Sequence, residues 1–204
     1  MPAIEHCDVC VIGGGPAGQA AALVLDGLSL DVVVVDEQAR PGGQILRQPP
    51  AEFRVPNWLA GREYTRLKAQ LARFEKCGAR WLGRHGVVEV RPEGDGYVVL
   101  ADGAEGMRAI HARYLLVAAG CQDLAVPLPG WTLPGVYAAG GIQAFIKSQQ
   151  IVPGESIVLA GTHPLQLMIA AQIVEAGGNV AAVLFAQPRG AMLPFGGHKG
   201  YGLA

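Results

Sequence analysis

The apolar positions of the chain fall into short continuous runs and longer stretches of helical spacing. Val9-Cys10-Val11-Ile12 passes through a cluster of glycines into Ala20-Ala21-Ala22-Leu23-Val24-Leu25, and a second run fills Val32 to Val35. Continuous apolar runs of this length on either side of a small-residue helix predict buried parallel strands in a βαβ unit. Tyr64, Leu67, Leu71 and Phe74 then recur at three- and four-residue intervals. That stripe predicts a helix capped by Asn57, running to about Cys77 and stopped by Gly78. Between residues 80 and 118 the pattern changes to short strands, at 86–91, 97–101, 107–111 and 114–118, with turns at Gly94-Asp95-Gly96 and Asp102-Gly103. A second βαβ pattern follows, with strands at 157–160 and 180–185 around a helix at 164–176.

Composition narrows the class. The 204 residues are 50% hydrophobic and 16% charged, which suits a filled core and excludes a disordered chain. A formal net charge of −1 gives no reason to expect a nucleic-acid partner. No apolar run approaches the ~18 residues of a membrane span. Met1-Pro2-Ala3-Ile4-Glu5 lacks the basic start and apolar stretch of a signal peptide, so the cytoplasm is the expected location. Cys7 and Cys10 form C-x-x-C, but Cys10 lies inside the first strand and no second pair completes a zinc site. The pair is expected to pack as small apolar residues. His6, His85, His111, His163 and His198 show no ligand spacing, and no metal is assigned.

Candidate chemistry concentrates in the first glycine cluster. Gly13, Gly15 and Gly18 fit G-x-G-x-x-G between an apolar strand and a helix. The first glycine allows the turn, the second admits a pyrophosphate close to the backbone, and the third lets helix and strand touch. The helix start offers free N–H groups and a positive dipole end. Asp36 stands 18 residues past Gly18 and Glu37 follows it, near the ~20-residue offset of the acid that takes the ribose hydroxyls. Strand length favours Asp36 for that role, and spacing to Gly42-Gly43 favours Glu37. The second βαβ turn, Gly161-Thr162-His163-Pro164-Leu165-Gln166, has side chains where the fingerprint needs its second and third glycines. It predicts the fold of a dinucleotide domain, with NAD(P) there only as the minor alternative.

Gly13-Gly14-Gly15-Pro16-Ala17-Gly18, Val35-Asp36-Glu37-Gln38 and Pro41-Gly42-Gly43-Gln44-Ile45 together resemble the FAD-binding half of two-dinucleotide-domain flavoproteins. Leu115-Leu116-Val117-Ala118-Ala119-Gly120 is similar to that family's second flavin motif. The segment 130–141, running into Gln143 and Lys147, resembles more narrowly the large FAD-containing subunit of multi-subunit amine and amino-acid dehydrogenases. That group includes the large subunits of opine oxidase and of hydroxyproline and proline dehydrogenases, and one from hydrogen cyanide synthase. The resemblance covers about residues 6–187. It implies FAD as cofactor, an amino or imino acid (or opine-type) substrate, partner subunits, and C–N bond oxidation or relay of its electrons. Carried over, Gly13, Gly15, Pro16, Ala17 and Gly18 would meet the pyrophosphate, and Asp36 or Glu37 the ribose. Gly42, Gly43 and Gln44, with Arg47 nearby, would lie along the flavin side; the alternative for Gln44 and Arg47 is a solvated loop. Val88 would approach the adenine through its backbone, while Ala119 and Gly120 close over the cofactor. No catalytic base stands out, and Lys147 reads equally as a surface residue.

Two departures follow from the same resemblance. No cysteine pair stands after Gly42-Gly43 or in the second βαβ region, which argues against a disulfide reductase. The chain also ends before the family's second domain and its return to the flavin domain, which predicts an incomplete FAD site. The expected fold is therefore α/β. A Rossmann-like FAD-binding domain with a β-meander occupies 1–150, an incomplete second dinucleotide-type βαβ domain 151–187, and a Gly-rich tail 188–204. Met192 to Ala204 resembles a segment of the type 2 malate/L-lactate dehydrogenases, which suggests a gene fusion near residues 187–190; an unrelated Gly-rich tail is the alternative. Besides membership of an enzyme complex, two further readings stand: a truncated remnant with little flavin, and an NAD(P)H-dependent flavin reductase.

Overall fold

The computed structural model describes residues 4–188. The segment 189–204, which carries most of the Gly-rich tail and its dehydrogenase-like stretch, lies outside the described residues. The chain divides into two compact units, Met1–Gln122 and Asp123–Ala204. The expected boundary at residue 150 falls inside the second of them.

The first unit begins with the predicted βαβ: β1 (Ile4–Ile12), α1 (Pro16–Asp26) and β2 (Val32–Val35). Then come α2 (Thr65–Phe74), β3 (Arg80–Leu82), β4 (His85–Glu93), β5 (Gly96–Gly103) and β6 (Gly106–Val117). All six strands form one sheet in the order β3-β2-β1-β6-β5-β4. The β3-β2-β1-β6 half is parallel and the β6-β5-β4 half is an antiparallel meander. The expected strands at 107–111 and 114–118 are one strand. Its first part pairs with β5, as in Val99 opposite Ile110, and its later part runs beside β1, with Ile12 opposite Val117. The four valines of β2 are all buried, as suits a strand covered on both faces. One face packs Val9, Val11, Val32 and Val34 against Ala22 of α1 and Phe74 of α2. The opposite face joins Cys10, Val33 and Val35 to Val99, Ala101 and Ile110 of the meander. The C-x-x-C pair thus belongs to the core, Cys10 within this cluster and Cys7 packed against it.

Two expectations are corrected. Asn57 does not cap α2: it sits at φ 55° in a turn, with Leu59 also left-handed, and such residues interrupt a helix. A single 3-10 turn at Arg62–Tyr64 leads into α2 instead, and the helix stops at Phe74. The stripe itself holds, with Tyr64 and Leu71 buried against Leu46 and Phe74 against the sheet. β3, absent from the expected strands, extends the parallel edge beside β2.

In the second unit a short helix, α3 (Ala139–Ala144), widens into a π-turn at Phe145–Gln149. β7 (Ile157–Gly161), α4 (Leu165–Glu175) and β8 (Val180–Phe185) then make the expected parallel βαβ. Ile142 and Ile146 pack against Ile169 and Ile173 of α4. Lys147 lies in the π-turn and is only 5% exposed, so it is no surface residue. No helix of the described residues is long and apolar enough to cross a membrane.

Candidate functional site

The C-terminal ends of parallel strands are where open α/β sheets bind ligands, and here the ends of β1, β2 and β6 converge on the first glycine cluster. Gly13 N–H donates to Val35 O at 2.8 Å, and Ala118 N–H to Ile12 O at 2.7 Å. Gly13 has φ +103°, and a Cβ there would strike the Ala118 carbonyl and approach Ala119 Cα at 3.1 Å. Only glycine meets both conditions. Gly18 lies so close under the turn that a Cβ would overlap the Gly13 carbonyl oxygen.

α1 then starts with Gly15 as N-cap, no side chain capping it, proline at its head and no acidic residue in the first turn. A helix start leaves its first N–H groups without intrahelical acceptors, so Ala17 and Gly18 present donors and the positive dipole end together. Gly42 and Gly43 close the other side. Gly42 N–H donates to Gly14 O at 2.9 Å, and a Cβ on Gly43 would sit 2.8 Å from Gly15 Cα. The two glycine motifs therefore touch backbone to backbone. This is a cradle that a Cβ would fill.

The two acids separate by geometry. Asp36 Oδ2 accepts from Gly14 N–H at 2.6 Å and Asp36 Oδ1 from Gln38 N–H at 2.7 Å. Both carboxylate oxygens are engaged in holding backbone. Glu37 is exposed, and the bond its carboxylate accepts comes from the neighbouring Gln38 side chain at 3.1 Å. Arg47 donates to Gln44 Oε1 at 2.9 Å and Gln38 Oε1 at 3.3 Å, tying the Gly42-Gly43 loop to the loop after β2. His85 N–H donates to Asp36 O at 3.0 Å, which brings the start of β4 alongside these acids. Val88 follows in β4 at a bulge, skipped by the ladder between Val87 and Glu89. Its side chain is 60% exposed. Ala119 and Gly120 are exposed beyond β6, with Gly120 at φ +73° and open space around it.

Three residues of this site are not marked by the sequence motifs. Gly14, the variable position of the fingerprint, has the Trp81 ring where its Cβ would be. Trp81 itself stands edge-on to Phe74, with centroids 6.1 Å apart. Gln19 is fully buried and its amide donates to Gly14 O at 2.9 Å. Gln19 follows the last glycine of the motif directly, and a polar residue in an otherwise apolar helix is the signal that could have found it.

The second turn is different. His163 Nδ1 accepts from Leu165 N–H at 3.1 Å, so the donor that opens α4 is already taken. Gln166, at the position of the third glycine, is buried and donates to Leu184 O at 3.2 Å.

The four cysteines are free thiols. Burial pushes the Cys10 thiol up to about 12. Burial does the same to Cys7, assisted by the charges of Cys10, Asp31 and Asp8. Neither is a thiolate at neutral pH, which removes both as nucleophiles. Among the described residues no group of three or more His, Cys, Asp and Glu is arranged to hold a metal ion.

Residues 7–142 match the family described as pyridine nucleotide-disulphide oxidoreductase. The HcnB component of hydrogen cyanide synthase from Pseudomonas aeruginosa is 40% identical over 174 residues, which cover 85% of this chain and 37% of that relative. The large "A" component of opine oxidase from Rhizobium meliloti is 36% identical over 186 residues, covering 91% of this chain and 40% of that relative. The chain thus spans well under half the length of these curated relatives. The fold is similar to the crystal structure of L-proline dehydrogenase from P. horikoshii, with a TM-score of 0.71, 20% identity, and coverage of 90% of this chain and 37% of that one.

Proposed function

The chain belongs to the pyridine nucleotide-disulphide oxidoreductase family, an FAD-binding fold, and from that premise we propose that it anchors the cofactor in a multi-subunit FAD-dependent oxidoreductase that oxidises the C–N bond of an amino or imino acid. The observation that carries this is the uncapped start of α1 at Gly15, lying against Gly43 with no acidic residue in its first turn. A doubly negative pyrophosphate matches that cradle in charge and in the room left by the missing Cβ atoms. The relatives are named as components of an opine oxidase and of a cyanide synthase, which supports the substrate class and the presence of partner subunits.

In this reading Gly15, Ala17 and Gly18 donate to the pyrophosphate, while Gly13 and Pro16 shape the turn that aims them. Glu37 accepts from the adenosine ribose, because Asp36 is committed to the Gly14 and Gln38 N–H groups. Val88, outside the β4–β5 ladder, offers its backbone to the adenine. Gly42, Gly43, Gln44 and Arg47 border the flavin side, and Ala119 and Gly120 pass over it. When bound, the flavin accepts a hydride and relays electrons, and the chain's own part is to hold and orient it. The family name includes disulphide chemistry, but Cys7 and Cys10 are packed into the core of the sheet and protonated at neutral pH.

The test is an FAD titration followed by flavin fluorescence, with the absorbance spectrum of the purified protein. Saturable binding is expected for the natural sequence. Glu37→Gln should weaken it about tenfold, the scale of a lost hydrogen bond to a charged group, with little change in melting temperature. Asp36→Ala should lower the melting temperature as well, since it leaves two backbone donors unpaired. Equal loss of affinity in both variants with no difference in melting would exchange their roles. No saturable binding by the natural sequence would end the reading.

A further inference from the structure

We infer that Gln19 is a positioning residue for the dinucleotide turn, an inference that rests on the FAD reading above. Its side chain is 0% exposed, although it is polar and stands on a helix whose neighbouring residues are alanine, leucine and valine. Its Nε2 donates to the Gly14 carbonyl at 2.9 Å, and the same oxygen accepts from Gly42 N–H at 2.9 Å. On the other side of that residue, Gly14 N–H donates to Asp36 Oδ2 at 2.6 Å. Gly14 is therefore gripped from α1, from the Gly42-Gly43 loop and from the end of β2, with the Trp81 ring closing over its Cα.

The peptide that follows Gly14 carries the N–H of Gly15. Fixing the Gly14 carbonyl fixes the plane of that peptide, because carbonyl and N–H are locked in one trans unit. Gln19 thus sets where the Gly15 N–H points before any ligand arrives, which reduces the ordering that binding would otherwise require. The other end of the side chain distinguishes this from ordinary packing. Gln19 Oε1 is buried with no hydrogen-bond partner, and a buried unsatisfied acceptor destabilises a fold. Leucine is close to glutamine in size and has no such acceptor. A residue chosen for stability alone would not be glutamine here.

The experiment compares natural protein, Gln19→Leu and Gln19→Glu by thermal melting without cofactor, by FAD titration, and by amide hydrogen exchange at Gly14 and Gly15 in the cofactor-free protein. Gln19→Leu is expected to melt at or above the natural temperature, yet to bind FAD about fivefold to tenfold more weakly, the change one neutral hydrogen bond commands. Its Gly14 and Gly15 amides should exchange faster by a similar factor. Gln19→Glu, which loses the donor and adds charge, should bind more weakly still. Unchanged affinity in Gln19→Leu, or a fall in melting temperature that parallels the loss of affinity, would overturn the inference. Should the natural sequence not bind FAD, the exchange measurement decides alone: unchanged protection at Gly14 and Gly15 in Gln19→Leu overturns the positioning role, and faster exchange upholds it while the FAD reading fails.

Discussion

A methyl group at residue 18 would fall on the Gly13 carbonyl oxygen, and that oxygen belongs to backbone that cannot swing aside. Gly18→Ala should therefore push α1 off β1, abolishing measurable FAD binding and lowering the melting temperature; a titration and a melt together check it. Gly14→Ala meets a side chain instead, the Trp81 ring, which can shift at some cost in packing. Its expected loss is smaller, about 1–3 kcal/mol of stability, with a change in tryptophan emission. At this scale the fingerprint glycines were legible because each is required by a backbone contact that the motif encodes. Gln19 and the division of labour between Asp36 and Glu37 were not. Both depend on which backbone donors lie within reach of a side chain, and spacing along the chain does not carry that information.

Among the elements, β1 shows how burial sets chemistry. Cys7 and Cys10 both have pKa values raised from 9 to about 12. The unfolded chain therefore loses these protons first as pH rises. The stability they contribute is intact below pH 9 and falls between 9 and 12, by about 1.4 kcal/mol per pH unit for a fully buried thiol such as Cys10. Chemical denaturation at pH 8, 9 and 10 should show that fall, and Cys10→Ala should start lower but decline less steeply. Thiol labelling gives the complementary result: Cys121, exposed, should react promptly, and Cys10 only on unfolding. Strands of this kind were readable from continuous apolar runs. The union of 107–111 and 114–118 into β6 was not, because the polar residues His111 and Arg113 interrupt the pattern where the strand changes neighbours from β5 to β1. Asn57 misled for a related reason: the residue type suits a helix cap and a left-handed turn equally, and here the turn prevailed.

Across the whole molecule two βαβ turns of similar form have opposite chemistry. At Gly13 to Gly18 the backbone is bare and the helix donors are open; at Gly161 to Gln166 an imidazole takes the first donor and a buried glutamine fills the position of the last glycine. A pyrophosphate at the second turn would have to displace His163 from Leu165 N–H and expose Gln166, whose amide also holds the Leu184 carbonyl of β8. Removing either bond leaves a backbone group unpaired, at about 1–3 kcal/mol where it is buried. The expected outcome is that NADH and NADPH neither bleach the flavin-loaded protein nor bind saturably below about millimolar concentration, which corresponds to roughly 4 kcal/mol. Bleaching with saturation at micromolar NAD(P)H would show that the second turn opens. It would also move the protein from a complex fed by an amino-acid substrate to a flavin reductase fed by pyridine nucleotide. His163→Ala sharpens the comparison. It frees the Leu165 donor while keeping Gln166 in place, so any nucleotide affinity gained by this variant measures the imidazole's share of the exclusion, and any still missing belongs to the glutamine.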